Sequence, residues 1–182
     1  SVEAVLMPSY REGEAASCVS SQMGCAMGCD FCASTRAGLE RNLSVDEIVG
    51  QYLHLSEEAA RQGRRIRRLV FMGMGEPLHN LGSVVPAIDR MADPLMGGLG
   101  WRRIRVSTVC VIRGIERLAA ADLGVHLAVS LHARDDETRA RIVPTTRKFK
   151  VAQILDAAQR FSERCKRVVT IEYCLLAGVN DS

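Results

Sequence analysis

The sequence has 182 residues, a formal net charge of +3 and seven cysteines. That length is one domain or most of one, and 47% hydrophobic with 25% charged residues describes a globular chain and excludes a disordered one. The mild positive charge neither requires nor excludes a nucleic-acid partner. No apolar run approaches the roughly 20 residues of a membrane span. The N-terminal stretch SVEAVLMPSYREG has no basic region ahead of a long apolar one, so no signal peptide is visible. An odd cysteine count without a secretion signal argues against a disulfide framework. The cytoplasm is therefore the expected compartment, and the cysteines are ligands, reactive groups or small core residues. The chain starts without Met and ends in LLAGVNDS, which reads as a strand running into a turn, so a fragment of a longer protein is expected.

Residues 17–24 read as a strand feeding a loop. Ser44 and Glu47 form an S-x-x-E capping box, followed by apolar residues at helical spacing (Val45, Ile48, Val49, Tyr52, Leu53), with Gly63 closing the helix. Residues 67–73 predict a buried strand. Helical spacing returns at Val84, Val85, Ile88, Met91 and Ala92, with Pro86 expected in the first turn. Residues 93–100 are loop by their Gly and Pro content. Strands are then expected at 102–109, 125–132 and 167–176, and helices at 113–122 and 150–164. About five strand–helix steps imply a parallel sheet. They form either an open doubly wound sheet or an incomplete (β/α) barrel. Both place ligands at the carboxyl ends of the strands, where GMGEP, STV and SLH fall.

Three cysteines, Cys25, Cys29 and Cys32, share the stretch GCAMGCDFCAST with C-x3-C-x2-C spacing. Clustered thiols in a reducing compartment read as metal ligands. A closed zinc site needs four ligands, and no second CxxC pair lies downstream. Three thiolates suit an iron–sulfur cluster with one iron left open. Ala26 and Gly28 let the loop wrap closely, and Phe31 can shield the site from water. Zinc, or reactive or packed cysteines, remain the alternatives.

C-x3-C-x2-C with an aromatic before its last cysteine resembles the radical S-adenosylmethionine superfamily. The stretches NLSVDEIVGQ, FMGMGEPLHN, STVCVIRGI, VSLHARDDETRARIVPTTRKF and IEYCLLAGVND narrow the resemblance, which runs from Glu3 to Asp181. They look like the bacterial adenine-C2 methyltransferases of 23S ribosomal RNA and, in some members, transfer RNA. The resemblance implies an α/β fold, an incomplete parallel (β/α) barrel of the radical type. It implies residues 1–182 as a truncated core, lacking an N-terminal accessory domain and the end of the barrel. It implies a [4Fe-4S] cluster on Cys25, Cys29 and Cys32, with S-adenosylmethionine on its open iron. Reduction of the cluster then splits the sulfonium bond and yields a deoxyadenosyl radical, the cofactor carrying the chemistry.

The same resemblance implies cofactor contacts at Gly75, Glu76, Ser107, Ser130, Leu131 and His132. Taken alone, Glu76 is a strand-end carboxylate able to accept from an amine, or part of a tight turn; His132 is equally readable as a satisfied strand-end histidine. Cys18 taken alone is a small buried residue. The resemblance makes it the thiol that attacks a methyl-carrying cysteine beyond residue 182, forming a transient disulfide that releases product. Glu3, otherwise a surface charge, becomes a proton acceptor. Cys110, Cys165 and Cys174 read as structural. The basic residues Arg61, Arg64, Arg65, Arg67 and Arg68 read as a solvated run, and Arg102, Arg103, Arg105, Arg134, Arg139, Arg141, Arg147, Lys148 and Lys150 as scattered charge. With only 4% aromatics no base-stacking platform is evident, so RNA as partner rests on the resemblance, as do an electron donor such as flavodoxin and a monomeric state. An adenine-C8 methyltransferase of the antibiotic-resistance type, and a non-catalytic cluster- or zinc-binding nucleic-acid module, are the rival readings.

Overall fold

The computed structural model describes residues 1–109 and 111–181, apart from the side chain of Thr146. Cys110, read above as structural, lies outside the described residues.

The chain opens with β1 (Val5–Pro8) and β2 (Glu14–Cys18), an antiparallel pair that the apolar pattern had not signalled. The single strand expected at 17–24 is split. Its first part ends β2, and its second part, β3 (Gln22–Gly24), leaves the main sheet to pair with β4 (Leu39–Asn42) in a small separate hairpin. Helix α1 (Val45–Arg61) starts at the expected capping box: Ser44 Oγ accepts from Glu47 N–H at 3.2 Å, and Glu47 accepts from Ser44 N–H at 2.8 Å. Strand β5 (Arg65–Phe71) follows.

Helix α2 (Leu81–Ala92) begins three residues earlier than its apolar spacing implied. Pro86 therefore sits inside the helix, not in its first turn, and lacks the N–H that would close a bond one turn back. Then come β6 (Ile104–Thr108), α3 (Ile112–Ala120), β7 (His126–Ser130), α4 (Asp136–Ile142), α5 (Val151–Cys165) and β8 (Thr170–Glu172). Helix α4 was not anticipated, because seven residues give too short a period to read. Asp135 caps it, accepting from Thr138 N–H at 2.8 Å.

The main sheet runs β1-β2-β5-β6-β7-β8, with β2, β5, β6, β7 and β8 all parallel. Parallel neighbours succeed one another in chain order without reversal. A doubly wound sheet reverses at a switch point, so the order is that of an open, partial barrel. Strand alternation divides the residues between two faces. Ile104, Val106, Leu127 and Val129 enter one core with Ile48 of α1, Ile88 and Met91 of α2, Leu118 of α3 and Phe161 of α5. Arg105, Ser107, His126 and Ser130 take the opposite, concave face. Among the described residues no helix is long and apolar enough to cross a membrane.

Candidate functional site

The cysteine loop spans the gap between β3 and β4 and is held by main-chain bonds. Cys25 N–H donates to Gly38 C=O and Cys32 N–H to Cys29 C=O, both at 3.0 Å. Thr35 Oγ1 donates to Cys25 C=O at 3.1 Å and accepts from Gly28 N–H at 2.9 Å. Beneath the loop, Cys25, Met27 and Cys29 form a small apolar cluster with Ala133, Ile142 and Val143. Asp30 N–H donates to Ile142 C=O at 3.0 Å, tying the loop to the end of α4.

All three cysteines face one cavity of about 260 Å³ at the carboxyl ends of β5, β6 and β7, which Phe31, Gly75, Glu76, Ser107, Ser130 and His132 also line. Cys25 and Cys29 are buried and Cys32 partly so; all are free thiols. Burial, with Cys32, Cys25 and Glu76 adding like charge, pushes the Cys29 thiol up to about 12, while Arg139 pulls the other way. Cys25 is raised chiefly by burial as well. Yet among the described residues no three His, Cys, Asp or Glu side chains converge as a single metal ion requires. The three thiols line one cavity, and Cys25 and Cys32 both raise the pKa of Cys29. In an iron–sulfur cluster the thiolates bind separate irons, so this all-sulfur donor set fits a cluster better than a zinc point.

The turn after β5 brings backbone to the cavity. A Cβ on Gly73 would lie 2.6 Å from Ser20 Oγ, and one on Gly75, at φ +98°, would lie 2.5 Å from Gln22 Cβ. Gln22 links this turn to the cysteine hairpin: its Oε1 accepts from Glu76 N–H and its amide donates to Asn42. Glu76 is 2% exposed. Its Oε1 accepts from Leu78 N–H at 3.0 Å and its Oε2 from Val109 N–H at 2.9 Å. Burial raises the carboxyl to about 7, against bonds from Val109, Leu78 and Thr108 that lower it. The carboxylate joins the ends of β5 and β6 inside the protein, while the residue lines the cavity.

Ser107 and Ser130 face each other across β6 and β7, Oγ to Oγ at 3.3 Å. His132 follows at φ +59°, an unusual value for a non-glycine residue. Its Nδ1 accepts from Cys174 N–H at 3.0 Å, its C=O accepts from Asn180 Nδ2 at 2.7 Å, and its ring meets Phe31 edge-on with centroids 4.7 Å apart. Burial lowers its pKa to about 4, with Arg139 adding to the effect. The ring is thus neutral near pH 7. With Nδ1 accepting, the proton resides on Nε2. His132 is thus a satisfied histidine that also lines the cavity.

Other expected residues fall differently. Leu131 does not line the cavity; its side chain is in the core, and only its main chain reaches the site's framework, through Glu172 C=O and Arg139. Cys18 ends β2, 9% exposed, its thiol raised by burial and partly offset by a bond from the Met72 main chain, and Met72 lines the cavity. The Glu3 side chain is exposed and is not among the lining residues; its C=O accepts from Ser20 Oγ at 2.6 Å, which places it at the same end of the sheet. Cys165 closes α5 against the core, and Cys174 supports His132. The arginines are less scattered than their sequence positions suggest. Arg67, Arg68, Arg102, Arg103 and Arg105 surround a second cavity of about 320 Å³ with His126, alongside β5 and at the amino ends of β6 and β7. Sequence reasoning missed Gln22, Arg139 and Asn180, whose polar atoms bond main chain far away in sequence.

The fold and the cysteine cavity define a cluster-binding partial barrel, and comparison with known proteins agrees. The Radical SAM superfamily model matches residues 19–182, and the chain belongs to that superfamily. The cofactors of this superfamily are a [4Fe-4S] cluster and S-adenosylmethionine. Among curated relatives, the chain is 59% identical over 181 residues to a probable dual-specificity RNA methyltransferase RlmN 1 of Opitutus terrae, covering 100% of this chain and 51% of that protein. It is 45% identical over 181 residues to the dual-specificity RNA methyltransferase RlmN 1 of Myxococcus xanthus, covering 100% of this chain and 50% of that one. The chain spans about half the length of these relatives. The crystal structure of a radical SAM methyltransferase from Sphaerobacter thermophilus superposes with a TM-score of 0.94 at 40% identity, covering 100% of this chain and 52% of that one. The hydrogenase maturase HydG shares the fold alone, with a TM-score of 0.61 at 18% identity.

Proposed function

We propose that the chain is the catalytic core of an enzyme that methylates carbon 2 of a specific adenosine in 23S ribosomal RNA, and of an adenosine in transfer RNA, from S-adenosylmethionine. The observation that carries this reading is the cavity: three cysteine sulfurs, two facing serines and a neutral histidine line one chamber at the carboxyl ends of parallel strands. Its likeness along the whole chain to proteins named RNA methyltransferases supplies the substrate class.

Cys25, Cys29 and Cys32 hold the cluster. When bound, the cluster supplies an open iron for S-adenosylmethionine and the electron that splits its sulfonium bond. The Gly75–Glu76 turn, Ser107, Ser130 and His132 orient the cofactor, with Nε2–H of His132 a donor. Leu131 contributes through its main chain. Phe31, leaning on His132, keeps water from the sulfurs. The methyl group passes by way of a methyl-cysteine on a cysteine outside residues 1–182; once its carbon is bonded to adenine and Glu3 has accepted the adenine proton, Cys18 attacks that cysteine's sulfur, an S–S bond forming as the S–C bond to the product breaks. Residues 1–182 are thus a truncated radical core within a longer cytoplasmic, monomeric enzyme that draws electrons from a flavodoxin-like donor. On this reading residues 1–182 alone transfer no methyl group. The arginine-lined cavity supports RNA as partner, since RNA affinity comes largely from neutralising phosphates.

The test is to incubate the full-length protein anaerobically with 23S rRNA, S-adenosylmethionine and a reductant, then digest the RNA to nucleosides for mass spectrometry. The reading expects 2-methyladenosine. 8-Methyladenosine would select the antibiotic-resistance type, and unmodified RNA from protein with full iron loading would refute methylation.

A further inference from the structure

Arg139 is 1% exposed, and it is among the largest fully buried side chains. It lies in the middle of α4, whose first turn is fixed by Asp135 and whose last residue, Ile142, receives the Asp30 N–H of the cysteine loop. Its guanidinium reaches up from the helix to the strand ends. Nε donates to Leu131 C=O at 3.0 Å, and Nη2 donates to Val109 C=O at 2.6 Å and Ser130 C=O at 3.3 Å. One side chain therefore ties the ends of β6 and β7 together. Those ends carry Ser107, Ser130 and His132. The same helix carries the floor on which Cys25 and Cys29 pack.

A planar fork of donors suits this junction in a way that an ammonium does not. The charge matters separately. Carbonyl dipoles solvate a buried guanidinium but do not cancel its charge, and at low dielectric the field extends over several ångströms. The guanidinium donates to the carbonyls of Val109 and Ser130, and both residues line the cavity that Cys25, Cys29 and Cys32 face, so its charge sits behind the cavity wall. A cluster held by three thiolates is anionic, and each electron added makes it more so. A fixed cation beside it stabilises the reduced state more than the oxidised one.

We propose that Arg139 is the positioning residue of the cysteine site: its fork joins the two strand ends to the helix beneath the cysteine loop, and its charge favours the one-electron-reduced state of the cluster. This rests on the cluster reading above. It assigns a role to a buried arginine that acts through the main chain of the strand ends, and that spacing alone placed among scattered charge.

The experiment compares wild type, R139K and R139Q in the full-length protein, anaerobically reconstituted with iron and sulfide. Iron and sulfide content are measured, and the midpoint of one-electron reduction is read by electron paramagnetic resonance during titration with dithionite. R139Q should shift the reduction equilibrium at least tenfold toward the oxidised state, about 59 mV for one electron. R139K keeps the charge and loses the fork. It should stay within about threefold of wild type and lose order at His132, seen as weaker S-adenosylmethionine binding by calorimetry. Failure of R139Q to hold iron while R139K holds it would equally support a required buried charge. Equal midpoints in all three proteins at equal loading overturn the inference, and so does a tenfold displacement in R139K. Absence of iron in the wild type would instead refute the cluster reading itself.

Discussion

The substitution E76Q removes a buried carboxylate of the cavity wall, and its effect should depend on pH. Glu76 is buried and accepts from two main-chain N–H groups. Burial raises its carboxyl from 4.5 to about 7. Between those values the folded chain holds a proton that the unfolded chain has released. The stabilising contribution is therefore complete below pH 4.5 and is lost as pH rises through 7. At about 1.36 kcal/mol per pH unit of displacement, the loss amounts to about 3 kcal/mol. The amide of E76Q does not titrate, so its stability lacks this slope. Urea unfolding of wild type and E76Q at pH 4.5 and pH 8 isolates the effect, because every other group titrates in both proteins. Wild-type stability relative to E76Q should fall by about 3 kcal/mol between the two values. A difference that stays constant with pH would mean that the carboxylate is solvated, and the account of the β5–β6 junction would fail.

Further expectations concern the same architecture. G75A puts a methyl group against Gln22 at a positive φ, which should destabilise the chain by about 1–3 kcal/mol in urea unfolding; an unchanged midpoint would contradict the described turn. C29A should lose the brown colour after anaerobic reconstitution while C18A keeps it, and equal loss in both would place Cys18 among the ligands. Binding of a single-stranded RNA oligonucleotide should weaken with salt, and the double variant R103A/R105A should flatten the log–log slope by about 1.4. An unchanged slope would remove the arginine cavity from the RNA path.

Much of this arrangement was legible because local rules agreed with the fold. The capping box at Ser44 marked α1 to the residue, and the chemically unusual residues already fell at strand ends. Edges were harder. β1 is short and half exposed, and β2 is buried but made of Glu, Ala, Ser and Cys, so no apolar alternation marked them, and β3 departs to a second sheet because Val19, Ser20 and Ser21 turn the chain away after Cys18. The early start of α2 put Pro86 in the helix interior, against its ordinary preference. Within the site, the cluster cysteines and Gly75, Glu76, Ser107, Ser130 and His132 fall on the cavity wall, whereas Leu131, Cys18 and Glu3 do not line it, and Met72, Val109 and Glu172 of the wall carried no signal. The connectors escaped notice for a physical reason. Gln22, Arg139 and Asn180 act through bonds to main-chain atoms of distant segments, and such bonds impose no periodicity on the sequence. Arginines that looked dispersed converge because the parallel strands β6 and β7 begin beside the later half of β5, the register pairing Leu69 with Ile104 and Arg105 with His126.

Three cysteines holding a cluster that receives S-adenosylmethionine is the claim on which the functional reading depends. The direct measurement is Mössbauer and electron paramagnetic resonance spectroscopy of the reconstituted protein, before and after S-adenosylmethionine is added. A four-iron cluster should form, and its reduced-state resonance should change when the cofactor binds. A colourless protein holding one zinc, or a cluster spectrum indifferent to S-adenosylmethionine, would contradict it.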